Sequence, residues 1–455
     1  MTAFWTSGRV AQVLGLADVD DLAFGGITTD TRTLEPGSLF VALAGDRFDA
    51  HDYLRQALEN GAAAAVVLRG TPAVDGLAMY EVDDTLVALG LLARERRRRI
   101  KGPVVGITGT NGKTATKELV RAVLSTRWTV YGTRANRNNL VGVPLTILEA
   151  PDGTEALVIE AGANEVGEVA QLRDIIEPTI AIVTNVSIGH VEGFGSVAAT
   201  LDEKLALTKG VSVAIVGTEP HAMGLSAAKY ARRVVVAGTS PFADVRPDQA
   251  TVPASGFGLL HVGQSRIEVP FRGGHQLENA MLALAVAQEL EIPFDAAGAA
   301  MASAQLPGGR CELLQHGDLI VMNDAYNANP ASLSAALETT QSMRGGRPLV
   351  VVLGTMLELG EDSAGLHAEM AGRVLDHDPA LIAVTGEFVA AFARHEESLG
   401  DRLIHAPDPA SLGRELALRL QGDEFVLLKA SRGVKLEEAL PFILPESDRT
   451  CSSTS

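Results

Sequence analysis

The stretch Gly106-Ile-Thr-Gly-Thr-Asn-Gly-Lys-Thr114 restricts what this chain can fold into more than any other. Pro103-Val-Val before it reads as a short buried strand, and Ala115 to Leu124 after it as an amphipathic helix. A strand, a glycine-rich turn and a helix N-terminus together make an anion cradle, because backbone N–H groups point at the anion and the helix dipole favours negative charge. Gly109, Thr110, Asn111 and Gly112 would then wrap the phosphates of a bound nucleotide. Lys113 supplies a point charge for the terminal phosphates, and the Thr114 hydroxyl suits Mg²⁺. The spacing departs slightly from the common phosphate loop: Ile107 stands where the first glycine would fall, and Gly106 sits one residue earlier.

At 455 residues the chain is too long for one core, and three α/β segments are expected. Residues 1–100 read as a small N-terminal α/β domain. They contain the extended stretch Ile27 to Arg32, strands at Ser38 to Leu43 and Ala64 to Leu68, and a helix from His51 ended by Gly61. A further helix over Thr85 to Ile100 carries Arg94 and Arg96 to Arg99 at its end, which reads as a solvated cap offsetting the dipole. Residues 101–309 read as a central ATP-binding domain with a parallel sheet. Its strand Ala156-Leu-Val-Ile159 leads into Glu160, and a carboxylate at the C-terminal end of a parallel strand faces the ligand crevice. Residues 310–455 alternate strands (Leu319 to Met322, Pro348 to Leu353, Leu381 to Val384, Phe425 to Leu428) with helices, a Rossmann-like pattern. No GxGxxG follows the first of these strands, so a dinucleotide site is not expected there.

The net charge of -18 argues against nucleic acid as a partner, since the overall field repels phosphate. A bound nucleotide must then be held by local cations and backbone donors. No apolar run is long enough for a membrane span and no export signal is visible, so a cytoplasmic protein is expected. Two cysteines, Cys311 and Cys451, fit a reduced compartment.

The Thr108-Gly-Thr-Asn-Gly-Lys-Thr114 form resembles the Mur ligase family, and the resemblance covers the whole chain. It is carried by Thr29-Asp-Thr-Arg32, Pro36 to Leu43 and Arg47-Phe-Asp49 in the first segment. The second contributes Asn136-x-Asn138-Asn139, Glu160-Ala-Gly-Ala-Asn164 and His190-Val-Glu-Gly-Phe-Gly-Ser196. The third contributes Tyr326-Asn-Ala-Asn-Pro330, Met356-Leu-Glu-Leu-Gly360 and Lys429-Ala-Ser-Arg432. The Tyr326 and His190 motifs are more specific than the phosphate loop. They are similar to those of the family branch that joins D-alanyl-D-alanine to a UDP-linked muramoyl tripeptide, so these two small molecules are the expected partners, with no nucleic acid and a monomeric enzyme.

The chemistry follows from the residue types. A ligase of this kind brings a carboxylate to the γ-phosphate of ATP, forms an acyl phosphate, and lets an amine attack it. The first step gathers anionic oxygens and needs cations. Lys113 and Mg²⁺ on Thr114 and Glu160 supply them. By resemblance His190 holds a second Mg²⁺, and Lys204 carries a CO₂-derived carbamate that helps bind it; the alternative for Lys204 is an exposed helical lysine. By resemblance also, Asn279 lies on the adenine side, Arg310 and Asp324 hold phosphate and ribose, and Asn327 and Asn329 belong to the same wall. Thr31 and Arg32 are similar to residues near the uridine nucleotide, Asn138 and Asn139 to residues on the substrate side, and Lys429, Ser431 and Arg432 to residues near the amine.

Some positions depart from the family pattern: Gly354-Thr355-Met356, Asn323-Asp324-Ala325-Tyr326, His275-Gln276 and Lys429-Ala430-Ser431. Several lie in the third segment, which recognises the amine. A related ligase forming a different amide is therefore the second reading. A nucleotide-binding regulator without catalysis would be expected to lack Lys113, Glu160 or His190, and all three are present.

Overall fold

Runs such as Ala64-Ala-Val-Val-Leu68 and Leu349-Val-Val-Val-Leu353 are apolar on both faces, which suits strands covered on both sides. In the computed structural model, which describes residues 4–17, 22–45, 48–187, 194 and 196–444, both runs lie inside mostly parallel sheets. The chain forms two compact units. One comprises Met1–Thr108, Arg127–Ala163 and Gly167–Ala181; the other comprises Gly109–Thr126, Asn164–Val166 and Ile182–Ser455.

The first unit opens with a parallel sheet in the order β1 (Ile27–Thr28), β2 (Leu39–Val41), β3 (Ala64–Leu68), β4 (Ala78–Val82). Helix α1 (Thr85–Arg97) follows, started by the Asp84 carboxylate, which accepts from the N–H groups of Leu86 and Val87. Strand β5 (Val104–Thr108) ends at the point where the chain enters the second unit to form α2 (Lys113–Leu124). The chain returns as β6 (Val130–Gly132), α3 (Gly142–Leu148), β7 (Ala156–Glu160) and α4 (Glu168–Ile176). Strands β6, β7 and β5 pair in parallel in that order, and β8 (Ile180–Val183) comes next in the sheet.

The arginines at the end of α1 are not the solvated cap expected from sequence. Arg97 is buried and donates to the carbonyls of Ile176 (2.6 Å), Glu177 (2.6 Å) and Ile100 (3.3 Å). Arg96 donates to Ala150 O and Asp152, and Arg98 pairs with the Glu177 carboxylate at 2.6 Å. The cause lies in α4. It ends at Glu177 with φ +41, which leaves its last carbonyls without helical partners, and a guanidinium has five donors to offer them. Residues 127–163 and 167–181 thus group with the first segment, and the compact units cut across the three segments drawn from sequence.

The second unit takes up at α2 and at the end of β8, and its strands β9 (Val213–Val216) and β10 (Arg233–Val236) pair in parallel. Between β8 and β9 lies α5 (Val197–Leu205), capped by Ser196 Oγ. An antiparallel sheet of β11 (Gln249–Thr251), β12 (Phe257–Val262) and β13 (Ser265–Arg272) precedes α6 (His275–Glu289) and α7 (Phe294–Met301), and both helices pack on α2. The last sheet has the order β14 (Glu312–His316), β15 (Leu319–Asp324), β19 (Phe425–Lys429), β16 (Leu349–Leu353), β17 (Leu381–Val384), β18 (Leu403–His405). It is parallel except for β14, which pairs antiparallel with β15. Alternate residues of β16 enter different cores: Val350 and Val352 on one face, Val351 and Leu353 on the other. Because β19 inserts between β15 and β16, Asp324 and Leu353 both lie in register with Lys429. The helices of this part of the chain include α8 (Pro330–Met343), α9 (Ser363–Asp376) and α10 (Pro409–Ala417). Among the described residues no helix is long and apolar enough to cross a membrane.

Candidate functional site

The phosphate loop is built by the second unit. Gly109 and Gly112 take φ +141 and +80, a region in which a side chain is strained. A Cβ at Gly109 would strike Thr184 Oγ1, and one at Gly112 would strike Asn279 Oδ1. The loop is pinned to the residues after β8: Thr110 N donates to Asn185 O (2.8 Å), Asn111 N to Asn185 Oδ1 (3.1 Å), and Thr184 Oγ1 to Asn111 O (2.6 Å). Lys113 is the first residue of α2, two positions ahead of the helix expected from sequence. Its Nζ donates to the carbonyls of Gly109 (2.8 Å) and Thr110 (3.0 Å), so the ammonium lies over the mouth of the loop. Thr114 is buried in the first turn. Sequence reasoning missed Thr184, Asn185 and Ser187 as partners of the loop, although the position of Thr184-Asn185 at a strand end was visible.

Asn279 is buried behind this loop. Its Oδ1 accepts from Thr116 Oγ1 at 3.2 Å and its Nδ2 donates to Gln276 Oε1 at 2.8 Å. The Gln276 amide in turn lies 3.0 Å from His275 Nε2. On the third-segment side, Asn329 and Asn111 exchange amide hydrogen bonds (2.8 and 3.3 Å), so the wall residue expected from sequence touches the loop directly. Asn329 also caps α8, accepting from Ser332 N.

The remaining third-segment residues form a second cluster. Arg310 lies with its guanidinium carbon 3.8 Å from the centre of the Tyr326 ring. Asp324 uses one oxygen on Cys311 N (3.1 Å) and the other on Lys429 Nζ (2.6 Å). It makes no Asx turn; the neighbouring Asn323 does, accepting from Ala325 N. Lys429 is buried, and its three donors go to Asp324 Oδ2, Asn327 O and Asp324 O. It therefore supports the Asp324 to Asn327 turn and does not present an ammonium outward. Ser431 acts in the same way, donating to Ala328 O and accepting from Leu357 N. Arg432 is exposed and pairs with Glu437 at 2.6 Å. Asn327 is exposed at the turn itself.

In the first unit, Glu160 is buried at the end of β7. Its Oε1 accepts from Asn138 Nδ2 at 3.0 Å, and its N–H donates to Thr133 Oγ1. Gly162 lets the Asn138 side chain pass close by. Asn139 is used locally, accepting from Gly142 N (2.8 Å) to start α3. Thr31 and Arg32 lie on the loop after β1. Arg32 forks onto Asp30 through Nε and Nη2 (2.9 and 2.7 Å) and holds that carboxylate down to about 2, while Asn60 Nδ2 donates to Thr31 O.

Lys204 is buried on α5, so the exposed-lysine alternative does not hold. Its Nζ lies 4.9 Å from the centre of the Phe194 ring, within the motif that begins at His190. His190 itself lies outside the described residues. Among the described residues no group of three or more His, Cys, Asp and Glu could hold a metal. The Thr114 hydroxyl in the first turn of α2 is a hard oxygen donor of the kind Mg²⁺ takes, and so, in the first unit, is the buried Glu160 carboxylate.

Comparison with known proteins follows the same lines. The model of the Mur ligase family catalytic domain matches residues 24–97, the Mur ligase middle domain residues 107–287, and the Mur ligase glutamate ligase domain residues 309–432. The UDP-N-acetylmuramoyl-tripeptide--D-alanyl-D-alanine ligase of Bacillus subtilis is 35% identical over 425 residues, 91% of this chain and 92% of that one. The chain belongs to the Mur ligase family. Among solved structures, MurF from Acinetobacter baumannii is similar with a TM-score of 0.87 at 28% identity, covering 96% of this chain and 98% of that one. MurF ligase from Thermotoga maritima, solved in complex with ADP, has a TM-score of 0.82 at 27% identity over 92% of this chain and 96% of that one. The chain has the three-domain Mur ligase fold, and as a Mur ligase it is an ATP-dependent ligase.

Proposed function

We propose that this Mur ligase joins D-alanyl-D-alanine to a UDP-N-acetylmuramoyl-tripeptide, releasing ADP and phosphate, in the cytoplasm as a step of peptidoglycan precursor synthesis. The observation that carries the reading is the 35% identity to the Bacillus subtilis ligase over nearly the full length of both chains. The segment boundaries near residues 100 and 309, and action as a monomer, belong to the same reading.

A carboxylate oxygen of the tripeptide attacks the γ-phosphorus of ATP; the bond to ADP breaks and an acyl phosphate forms. The amine nitrogen of the dipeptide then attacks the acyl carbon, the tetrahedral intermediate expels phosphate, and the amine loses a proton. Lys113 supplies positive charge to the transferred phosphoryl group, and Gly109 to Thr114 offer backbone donors at the start of a helix. Arg310 adds a second cation, while Asp324, Asn327 and Asn329 stand on the nucleotide side with Asn279. Thr114 and Glu160 would each offer an oxygen donor to Mg²⁺, and His190 and Lys204 would be candidates for a second ion. Bound Mg²⁺ would neutralise charge on the phosphates and acyl oxygen. A carbamate on Lys204 would turn a buried cation into an anionic ligand; the mass of the Lys204 peptide, taken without acid treatment, tests it, and an unmodified mass in fully active enzyme rules it out.

Thr31, Arg32, Asn138 and Asn139 serve the UDP-linked substrate. At the amine side the exposed Arg432 makes contact, with Lys429 and Ser431 holding the loop beneath it. ADP release should depend on D-alanyl-D-alanine when a panel of amines is offered with the UDP-linked tripeptide. Release with another amine and none with this dipeptide would overturn the assignment.

A further inference from the structure

Arg310 stands at the entrance to the third segment, and the turn after β15 fixes it from both sides. Tyr326 N donates to Gly309 O at 3.0 Å, and Cys311 N donates to Asp324 Oδ1 at 3.1 Å. The residues before and after Arg310 are thus bonded to the same turn, and its side chain then lies on the ring that this turn carries, 3.8 Å from the ring centre. Among the described residues no carboxylate pairs with Arg310, whereas Arg432, 5.8 Å from the same ring, is bound to Glu437. A guanidinium lying on an aromatic ring keeps its in-plane N–H donors for an anion, and its long side chain is already ordered before the anion arrives.

We propose that Tyr326 is a positioning residue whose ring aims the Arg310 guanidinium at the terminal phosphate of ATP. The inference rests on the nucleotide reading above. The ring acts and the hydroxyl does not: among the described residues the Tyr326 hydroxyl has no hydrogen-bond partner, so phenylalanine preserves the function.

The test is displacement of a fluorescent ATP analogue by ATP and by ADP, with full-length wild type, Tyr326→Phe, Tyr326→Leu, Arg310→Gln and the Leu/Gln double variant. Tyr326→Leu weakens ATP by about 3- to 30-fold, the range of one cation–π contact, and weakens ADP, which lacks the third phosphate, much less. Tyr326→Phe binds like wild type. In the Arg310→Gln background Tyr326→Leu adds nothing. Equal loss of ATP and ADP, or a full additional loss in the double variant, overturns the proposal. If Tyr326→Leu does not fold, Arg310→Lys makes the test from the other side, since an ammonium keeps the charge without a plane to stack. That variant should lose ATP relative to ADP by a similar factor, and unchanged ATP affinity overturns the proposal. A wild-type protein that binds neither nucleotide contradicts the nucleotide reading itself.

Discussion

Gly112 shows how tightly the loop is built, because its φ of +80 and the Asn279 amide both exclude a side chain. Gly112→Ala should cost about 1–3 kcal/mol of stability, from left-handed strain and crowding, and should weaken ATP binding. Denaturant unfolding and nucleotide titration check the two effects. Lys113→Ala should stay folded and lose on the order of 10²–10³ in rate, as other transition-state donors do; near-wild-type turnover in a folded variant would remove the lysine from the mechanism. Cys311 gives a third outcome at this scale. Burial, with the negative charge of Asp324 behind it, pushes its thiol far above the ordinary range, so peptide mapping after alkylation near neutral pH should find it unmodified in the native protein and modified after unfolding. The loop glycines and Lys113 were legible in sequence because their spacing is local. Asn185 and Tyr326 were not legible in these roles. Asn185 meets the loop only through the course of β8, and Tyr326 meets Arg310 only because the turn after β15 folds back on the linker.

At the scale of elements, α8 starts on a residue with two tasks. Asn329 forms a capping box with Ser332 and pairs with Asn111 of the phosphate loop. Asn329→Ala should cost about 1 kcal/mol through the cap and also weaken nucleotide binding, whereas Asn111→Ala should affect mainly binding. Equal stability losses in both would contradict this division. Helix α6 starts at His275, whose Nδ1 is buried without a hydrogen bond and whose Nε2 faces the Gln276 amide. Burial pulls its pKa below the ordinary 6.5, with Lys429 acting in the same sense and Asp324 opposing. As pH falls below about 6.5 the unfolded chain takes up a proton that the folded chain refuses, so stability declines until the lower folded-state value is passed. Unfolding measured over this range should be less pH-dependent in His275→Gln. Strand identities at this scale came readily from apolar runs such as those of β16 and β19. The polar β14 and the short β18 gave no such signal, and the arginines of α1 were misread because the carbonyls that they bind belong to a distant helix.

At the scale of the molecule, the alternation of strands and helices along the sequence suggests three α/β segments. What sequence did not convey is how the chain condenses. The phosphate loop and α2 join the third segment's compact unit, while Glu160 and Asn138 belong with the N-terminal sheet. Arg97 in one unit and the Asn111–Asn329 pair in the other each join residues far apart in the chain. The central claim is that ATP activates the tripeptide carboxylate as an acyl phosphate before the amine attacks. It is tested by supplying the UDP-linked tripeptide with ¹⁸O in the reacting carboxylate, together with ATP and D-alanyl-D-alanine. The account predicts one ¹⁸O in the inorganic phosphate released for each amide bond formed, with ADP as the nucleotide product; ¹⁸O in AMP, or unlabelled phosphate alongside product, would contradict it.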